Sequence, residues 1–205
     1  MSTPLAGARV VVIGVSTGGP AALAEVVPAL PADLGVPVVV VCHMPEAFTG
    51  PLAARLDALG ALRVVEAADG DELQAGTVHV AAGGRHLVPE RRRERVLLRL
   101  DDGPAVNSCR PSVDVTLQHA VRVWGRGVLA VVLTGMGRDG LQGCREVAAA
   151  GGQVVVQDEE TSVVWGMPGY VARAGLADRV APLPAVASVV TARVRGALTA
   201  TGGAA

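Results

Sequence analysis

Three residue types that together catalyse acyl transfer follow three apolar segments of the chain. Ser16 ends "RVVVIGVS", His43 ends "PVVVVCH", and Asp139 lies in "MGRDG", soon after "GVLAVVLTG". A serine hydroxyl is a weak nucleophile until a base accepts its proton. Imidazole is such a base, and a carboxylate orients it and stabilises its charged form. The set predicts nucleophilic catalysis on an acyl group.

The residues around Ser16 favour exposure of its hydroxyl. Residues 14–18 read Gly-Val-Ser-Thr-Gly, a match to G-x-S-x-G between a predicted strand and a predicted helix. The glycines permit a sharp backbone path. A helix beginning near Pro20 would point its first amides at the same place, where they favour a developing oxyanion.

Other interpretations of this turn remain open. Gly14-x-Ser16-x-x-Gly19 is also a degenerate dinucleotide-binding loop, and it could be a purely structural turn. The dinucleotide motif requires an acidic residue at the end of the second strand, to bind the ribose. The second strand here ends in Cys-His-Met, with a base in that position. The nucleophile is therefore the favoured interpretation.

The histidine and the aspartate also have alternatives. A single histidine at a strand end is often a hydrogen-bonded structural residue, and Asp139 could cap the helix predicted over 140–150. Asp114 in "RPSVDV" is the rival acid, although it falls inside a helical pattern. The convergence of three suitable residue types at three strand ends favours the catalytic interpretation.

The elements that must position these residues form an α/β pattern. Short Val-rich runs alternate with helical patterns, which is typical of parallel strands covered by helices on both faces. We predict a doubly wound, mainly parallel sheet in a three-layer sandwich, with ligands at the carboxyl ends of the strands. The predicted strands are 8–15, 37–44, 62–66, 77–82, 127–134, 153–157 and 179–182, with a hairpin at 86–100. The predicted helices are 20–30, 48–59, 112–124, 140–150, 161–175 (with Pro168 bending or interrupting it) and 184–198, before a frayed tail.

Composition excludes several classes of function. The 205 residues are 50% hydrophobic, only 2% aromatic, and carry a net charge of −1, which argues against nucleic-acid binding. No run approaches the roughly 18 apolar residues of a membrane span. The three cysteines are far apart and show no metal spacing. We therefore expect free thiols and a cytoplasmic location. The five arginines of 89–99 are expected at a solvated hairpin tip.

Six segments resemble the chemotaxis protein-glutamate methylesterases of the CheB family, in order from about residue 9 to about residue 195. They are "VVIGVSTGGPAAL", "CHMPEAFTGPLAARLDAL", "GTVHVAAGGRHL", "NSCRPSVDV", "LTGMGRDGLQG" and "DEETSVVWGMPGYVARAG". Two positions depart from the family pattern. Cys42 stands where the family has glutamine, and Ala82 stands where it has proline.

The resemblance implies a role for each matched residue. Ser16 would be the nucleophile, His43 the general base and acid, and Asp139 the carboxylate behind the histidine. Oxyanion stabilisation would come from around Thr17 and the backbone near Met136. The implied reaction is hydrolysis of glutamate γ-methyl esters on chemoreceptors, with deamidation of receptor glutamines as a related activity. No cofactor or metal is implied.

The resemblance also sets expectations about organisation. The chain would be one catalytic domain over 1–205, with a core at about 8–198 and without the family's receiver domain. A separate receiver protein, constitutive activity or an atypical receptor system could each explain that absence. A non-catalytic module that binds a nucleotide or a partner protein through residues 14–19 is the alternative function.

Overall fold

A seven-stranded parallel sheet forms the centre of the molecule. The computed structural model describes residues 7–196. The strand order across the sheet is β3-β4-β2-β1-β7-β8-β9, and every neighbouring pair is parallel. The strands are β1 Val10–Val15, β2 Val38–Cys42, β3 Arg63–Glu66, β4 Thr77–Val80, β7 Val128–Val132, β8 Gln153–Gln157 and β9 Arg179–Ala181.

The central strands are buried along their whole length. Every residue of β1, β2, β7 and β8 is buried, because helices cover both faces of the sheet. The helices are α1 Gly19–Val26, α2 Glu46–Asp57, α3 Val113–Trp124, α4 Leu141–Ala149, α5 Met167–Arg173 and α6 Leu183–Val194. The predicted three-layer α/β sandwich is confirmed.

Two separate apolar layers hold the helices against the sheet. One contains the inward faces of α1, α2 and α6, and includes Leu23, Leu56 and Val190. The other contains those of α3, α4 and α5, and includes Leu117 and Val147. Alternate residues of each strand point into one layer or the other, so β-branched valines fill both sides of the sheet.

A hairpin lies outside the main sheet. Strands β5 (His86–Arg92) and β6 (Arg95–Asp101) pair antiparallel and contact α3. Leu87 and Leu98 are fully buried in the layer that contains α3. The hairpin predicted over 86–100 is confirmed, with all five of its arginines exposed near the tip and on one face. The segment that follows it, 102–112, leads into the predicted site.

One predicted helix is wrong in extent. Residues 161–175 were expected to be helical, but the helix is α5, Met167–Arg173. Thr161 instead closes a turn in which its N–H and hydroxyl donate to Asp158. Pro168 lies in the first turn of α5, where a missing N–H costs no helical hydrogen bond. It therefore starts the helix rather than bending it.

The C-terminal helix prediction is tested only in part. Helix α6 ends at Val194, and residues 197–205, which include the predicted frayed tail, lie outside the described residues. No helix within residues 7–196 has the length and apolar character needed to cross a membrane.

Candidate active site

The strand order brings the three predicted residues to one edge of the sheet. Strand β1 lies between β2 and β7, so the strands that follow it in the chain are added first on one side of β1 and later on the other. Ligands of parallel sheets bind at such a switch point. Val15 is paired with Cys42, so Ser16 and His43 follow on neighbouring strands at the same level. Asp139 reaches this edge from the loop after β7.

A short hydrogen bond joins His43 to Asp139. Nε2 of the imidazole lies 2.8 Å from Oδ2 of the carboxylate, and the side chains are 12% and 2% exposed. The two residues are 96 positions apart in the chain. Asp114, the rival acid, makes no such bond. It is buried in the first turn of α3 and accepts hydrogen bonds from Gly143 N at 2.6 Å and Asn107 Nδ2 at 2.7 Å.

The Asp139 carboxylate also lies at the N-terminus of α3. It accepts hydrogen bonds from Ser112 Oγ at 2.7 Å, Val113 N at 2.7 Å, Asp114 N at 3.3 Å and Asn107 Nδ2 at 3.1 Å. The first backbone amides of a helix have no partner inside the helix, and they favour an anion. Asp139 was considered as a cap for the helix over 140–150. It caps α3 instead, while Gly140 precedes α4.

These donors keep Asp139 ionised. Burial alone would raise the pKa of its carboxyl, because it disfavours the charged form. Hydrogen bonds from His43, Ser112 and the amide of Val113 outweigh that effect and lower the pKa below its ordinary value. For Asp114 the balance is opposite. Burial and the negative charge of Asp139 raise the pKa of Asp114 despite its own hydrogen bonds.

The ionised carboxylate fixes the protonation of the histidine ring. A carboxylate only accepts hydrogen bonds, so Nε2 of neutral His43 carries the proton and Nδ1 carries a lone pair. Nδ1 is thus the basic nitrogen of the site. In the present conformation it faces Cys109, whose Sγ lies 3.6 Å away. Within residues 7–196, no hydrogen bond links the hydroxyl of Ser16 to His43.

The turn at Ser16 is held by its backbone. Ser16 N donates to Thr134 O at 3.0 Å, and its carbonyl accepts from Gly19 N at 2.7 Å. Gly18 has φ of 83°, a left-handed conformation that favours glycine. Helix α1 begins immediately afterwards, at Gly19. The side chain of Ser16 is therefore presented at a strand-to-helix turn, as the sequence predicts.

The two predicted oxyanion positions flank this turn. Thr17 is exposed, and its carbonyl accepts a hydrogen bond from Thr134 Oγ1 at 2.9 Å. Met136 follows β7 at the same edge, and its side chain is 69% exposed. Their roles at an oxyanion remain predictions.

Sequence analysis matched the segment "NSCRPSVDV" to the family but assigned no role to the residues in it that surround the carboxylate. Asn107, Cys109 and Ser112 all come from this segment, between the hairpin and α3. Ser112 is also a good N-cap residue before an apolar pattern, but its hydroxyl makes no cap bond to α3. The cysteines were expected to show no metal spacing. The fold nevertheless places ligand atoms of His43, Cys109 and Asp139 within 4.8 Å of one another.

Comparison with known proteins identifies the family of this chain. The family model described as CheB methylesterase matches residues 11–190, which is most of the chain. The chain belongs to the CheB methylesterase family. The structure is also similar to the crystal structure of the Thermotoga maritima CheB methylesterase catalytic domain. The TM-score is 0.88 at 43% identity, with 90% of this chain and 97% of that chain covered.

Curated relatives within the CheB family are similar over almost the whole chain. A protein-glutamate methylesterase/protein-glutamine glutaminase of Trichodesmium erythraeum is 46% identical over 91% of this chain and 53% of the relative. One of Nocardioides sp. is 52% identical over 88% of this chain and 49% of the relative. The chain therefore spans about half the length of these relatives.

Proposed function

We propose that this chain hydrolyses glutamate γ-methyl esters on methyl-accepting chemoreceptors, with Ser16, His43 and Asp139 as the catalytic residues. The observation that supports this best is the 2.8 Å bond between His43 Nε2 and Asp139. It leaves the Nδ1 lone pair at the edge of the sheet where Ser16 follows β1. The names of the relatives supply the ester and the protein substrate.

In the proposed first step, Ser16 Oγ attacks the ester carbonyl while its proton passes to His43 Nδ1. Cys109 now faces Nδ1. For this transfer its thiol must move away from that nitrogen, and the hydroxyl of Ser16 must take its place. Asp139 stabilises the imidazolium that forms. The tetrahedral oxyanion is stabilised by backbone N–H groups near Thr17 and Met136, each donor contributing about 3–4 kcal/mol.

Collapse of the tetrahedral intermediate expels methoxide, which takes the proton from His43 and leaves as methanol. Water then attacks the acyl-enzyme, giving its proton to Nδ1, and Ser16 recovers that proton as the glutamate is released. The receptor gains one carboxylate per cycle. Attack on a glutamine side chain follows the same course, with ammonia as the leaving group.

The setting of this activity is also part of the proposal. The cytoplasm is the proposed compartment, since Cys42, Cys109 and Cys144 are all free thiols.

Release of methanol from methyl-labelled chemoreceptor membranes tests the proposal. We expect release by the wild type and none above background by Ser16→Ala. We expect a rate about 10⁴-fold lower for Asp139→Asn, since the amide no longer holds the active tautomer. Ser188→Ala, an exposed serine on α6, is the matched control. Equal release by wild type and Ser16→Ala would refute the mechanism. Saturable nucleotide binding without release would favour the binding module.

A further inference from the structure

The thiol of Cys109 and the imidazole of His43 have the separation of two ligands on one zinc ion. Zinc binds thiolate sulfur at about 2.3 Å and imidazole nitrogen at about 2.0–2.1 Å with tetrahedral geometry, which places sulfur and nitrogen about 3.6 Å apart. Cys109 Sγ and His43 Nδ1 are 3.6 Å apart. The two atoms therefore already have the spacing that ligation to one zinc ion requires.

The other nitrogen of the ring is already held as it is in zinc sites. A histidine that binds a metal usually donates its second ring N–H to a carboxylate, which fixes the tautomer and raises the basicity of the ligating nitrogen. His43 Nε2 makes this bond to Asp139. The carboxylate is itself held by Ser112 and by the amide of Val113, so the imidazole is fixed before any ion arrives.

Cys109 differs from the other two thiols in its access to solvent. Cys42 and Cys144 are buried, whereas Cys109 is half-buried on the segment before α3. Burial and the charges of Asp139 and Asp114 raise the pKa of the Cys109 thiol to about 11. A protonated thiol reacts slowly with oxidants, which argues against a redox-sensing cysteine.

We propose that Cys109 and His43 form an inhibitory Zn²⁺ site, with water in the remaining coordination positions. The ion replaces the thiol proton, which passes to solvent, and its bond to Nδ1 occupies the lone pair of the base. No oxidation or reduction is involved. The inhibitory consequence depends on the proposed function, because it requires Nδ1 to accept the proton of Ser16. The binding itself does not.

Binding is tested with Co²⁺, a spectroscopic substitute for zinc, on the whole chain with a non-chelating phosphine reductant. We expect a thiolate-to-Co²⁺ charge-transfer band in the wild type and its loss in Cys109→Ser. His119→Ala, which removes a histidine outside the cluster, should keep the band. Asp139→Asn should weaken Co²⁺ binding about 10–100-fold, because His43 Nε2 loses the carboxylate that accepts its proton. Circular dichroism checks that each variant is folded.

Inhibition is tested with Zn²⁺ in the methanol-release assay, each variant being compared with its own metal-free rate. We expect zinc to suppress the wild type, a chelator to restore it, and Cys109→Ser to need at least about tenfold more zinc. A Co²⁺ band that survives in Cys109→Ser, or no band in the wild type, would overturn the site. If no variant shows metal-free turnover, the proposed function fails, and the Co²⁺ band alone decides the site.

Discussion

Ser112 Oγ donates a 2.7 Å hydrogen bond to Oδ1 of Asp139, and both side chains are buried. Ser112 stands at the N-cap position of α3, but its hydroxyl makes no bond to that helix. The carboxylate of Asp139 takes the amide of Val113 instead. One anion from the loop after β7 therefore caps α3, while it also orients His43.

Replacing Ser112 by alanine should destabilise the protein in a pH-dependent way. The folded pKa of Asp139 is depressed, so its contribution to stability is present above the ordinary carboxyl pKa of about 3.9 and is lost as the pH falls through the folded value. Without the hydroxyl that pKa rises and the contribution shrinks. We expect Ser112→Ala to lower the free energy of unfolding by about 1–3 kcal/mol at pH 7.

Urea denaturation at pH 7 and pH 3 measures this effect. The difference in the free energy of unfolding between Ser112→Ala and wild type should be smaller at pH 3, where Asp139 is protonated in more of the molecules. Ser188→Ala, an exposed serine on α6, should stay close to wild type at both values. A difference that is as large at pH 3 as at pH 7 would show that the hydroxyl does not act through the charge of Asp139.

Removing the amide of Asn107 should raise the pKa of two carboxyl groups together. Asn107 Nδ2 donates to Asp114 Oδ2 at 2.7 Å and to Asp139 Oδ1 at 3.1 Å. We expect Asn107→Ala to lower the free energy of unfolding by about 1 kcal/mol at pH 7, since two buried carboxyl groups lose a shared donor. Gln142→Ala removes an exposed amide on nearby α4 and serves as the control. NMR titration of the two carboxyl carbons would contradict the prediction if neither pKa moved.

A methyl group at residue 135 should displace Ser16. A Cβ built on Gly135 would lie 2.5 Å from Met167 Sδ and 2.8 Å from Ser16 Cβ. We expect Gly135→Ala to cost about 1–3 kcal/mol of stability and to abolish most methanol release. Gly76→Ala is the control, because a Cβ there meets nothing within 4 Å and Gly76 precedes β4 at the opposite edge of the sheet. A Gly135→Ala enzyme as active as Gly76→Ala would contradict the prediction.

The three thiols should alkylate in a fixed order. Burial raises the pKa of Cys42 to about 12, and burial with nearby carboxylates raises the pKa of Cys109 to about 11 and that of Cys144 still more. At pH 8 only a small fraction of Cys109 is therefore thiolate. We expect slow labelling by iodoacetamide in the native protein, first at Cys109, and rapid labelling of all three in urea. Mass spectrometry reads the order, and earlier labelling of Cys42 or Cys144 would refute it.

The sequence predicts the strands that position the site better than it predicts the side chains that contact the Asp139 carboxylate. Val-rich runs identify β1, β2 and β7, and the topology of a parallel sheet then places Ser16, His43 and Asp139 at one edge. The hydrogen-bond partners of the Asp139 carboxylate cannot be predicted in this way. Ser112 is 27 residues from Asp139, and their contact depends on how α3 docks on the sheet, which no local pattern encodes.

The error at residues 161–175 has a local cause. The apolar residues of that segment fit a helical period, but Thr161 and Pro168 have stronger preferences of their own. The hydroxyl of Thr161 donates to Asp158 and closes a turn, and Pro168 favours the first turn of a helix, where α5 begins. Turn chemistry therefore overrode periodicity in the first six residues. Cys109 could not be placed beside His43, because the partner in that contact is 66 positions away.

The 96-residue separation of His43 and Asp139 affects how the chain folds. Contacts between distant residues close large loops, so they form slowly compared with helices. When the chain is diluted from denaturant, the circular dichroism signal of its helices should therefore return early. Hydrolysis should return only after the last strands have docked. Enzyme activity would then report the final step of folding, and a nascent or partly unfolded chain would lack the proposed hydrolysis.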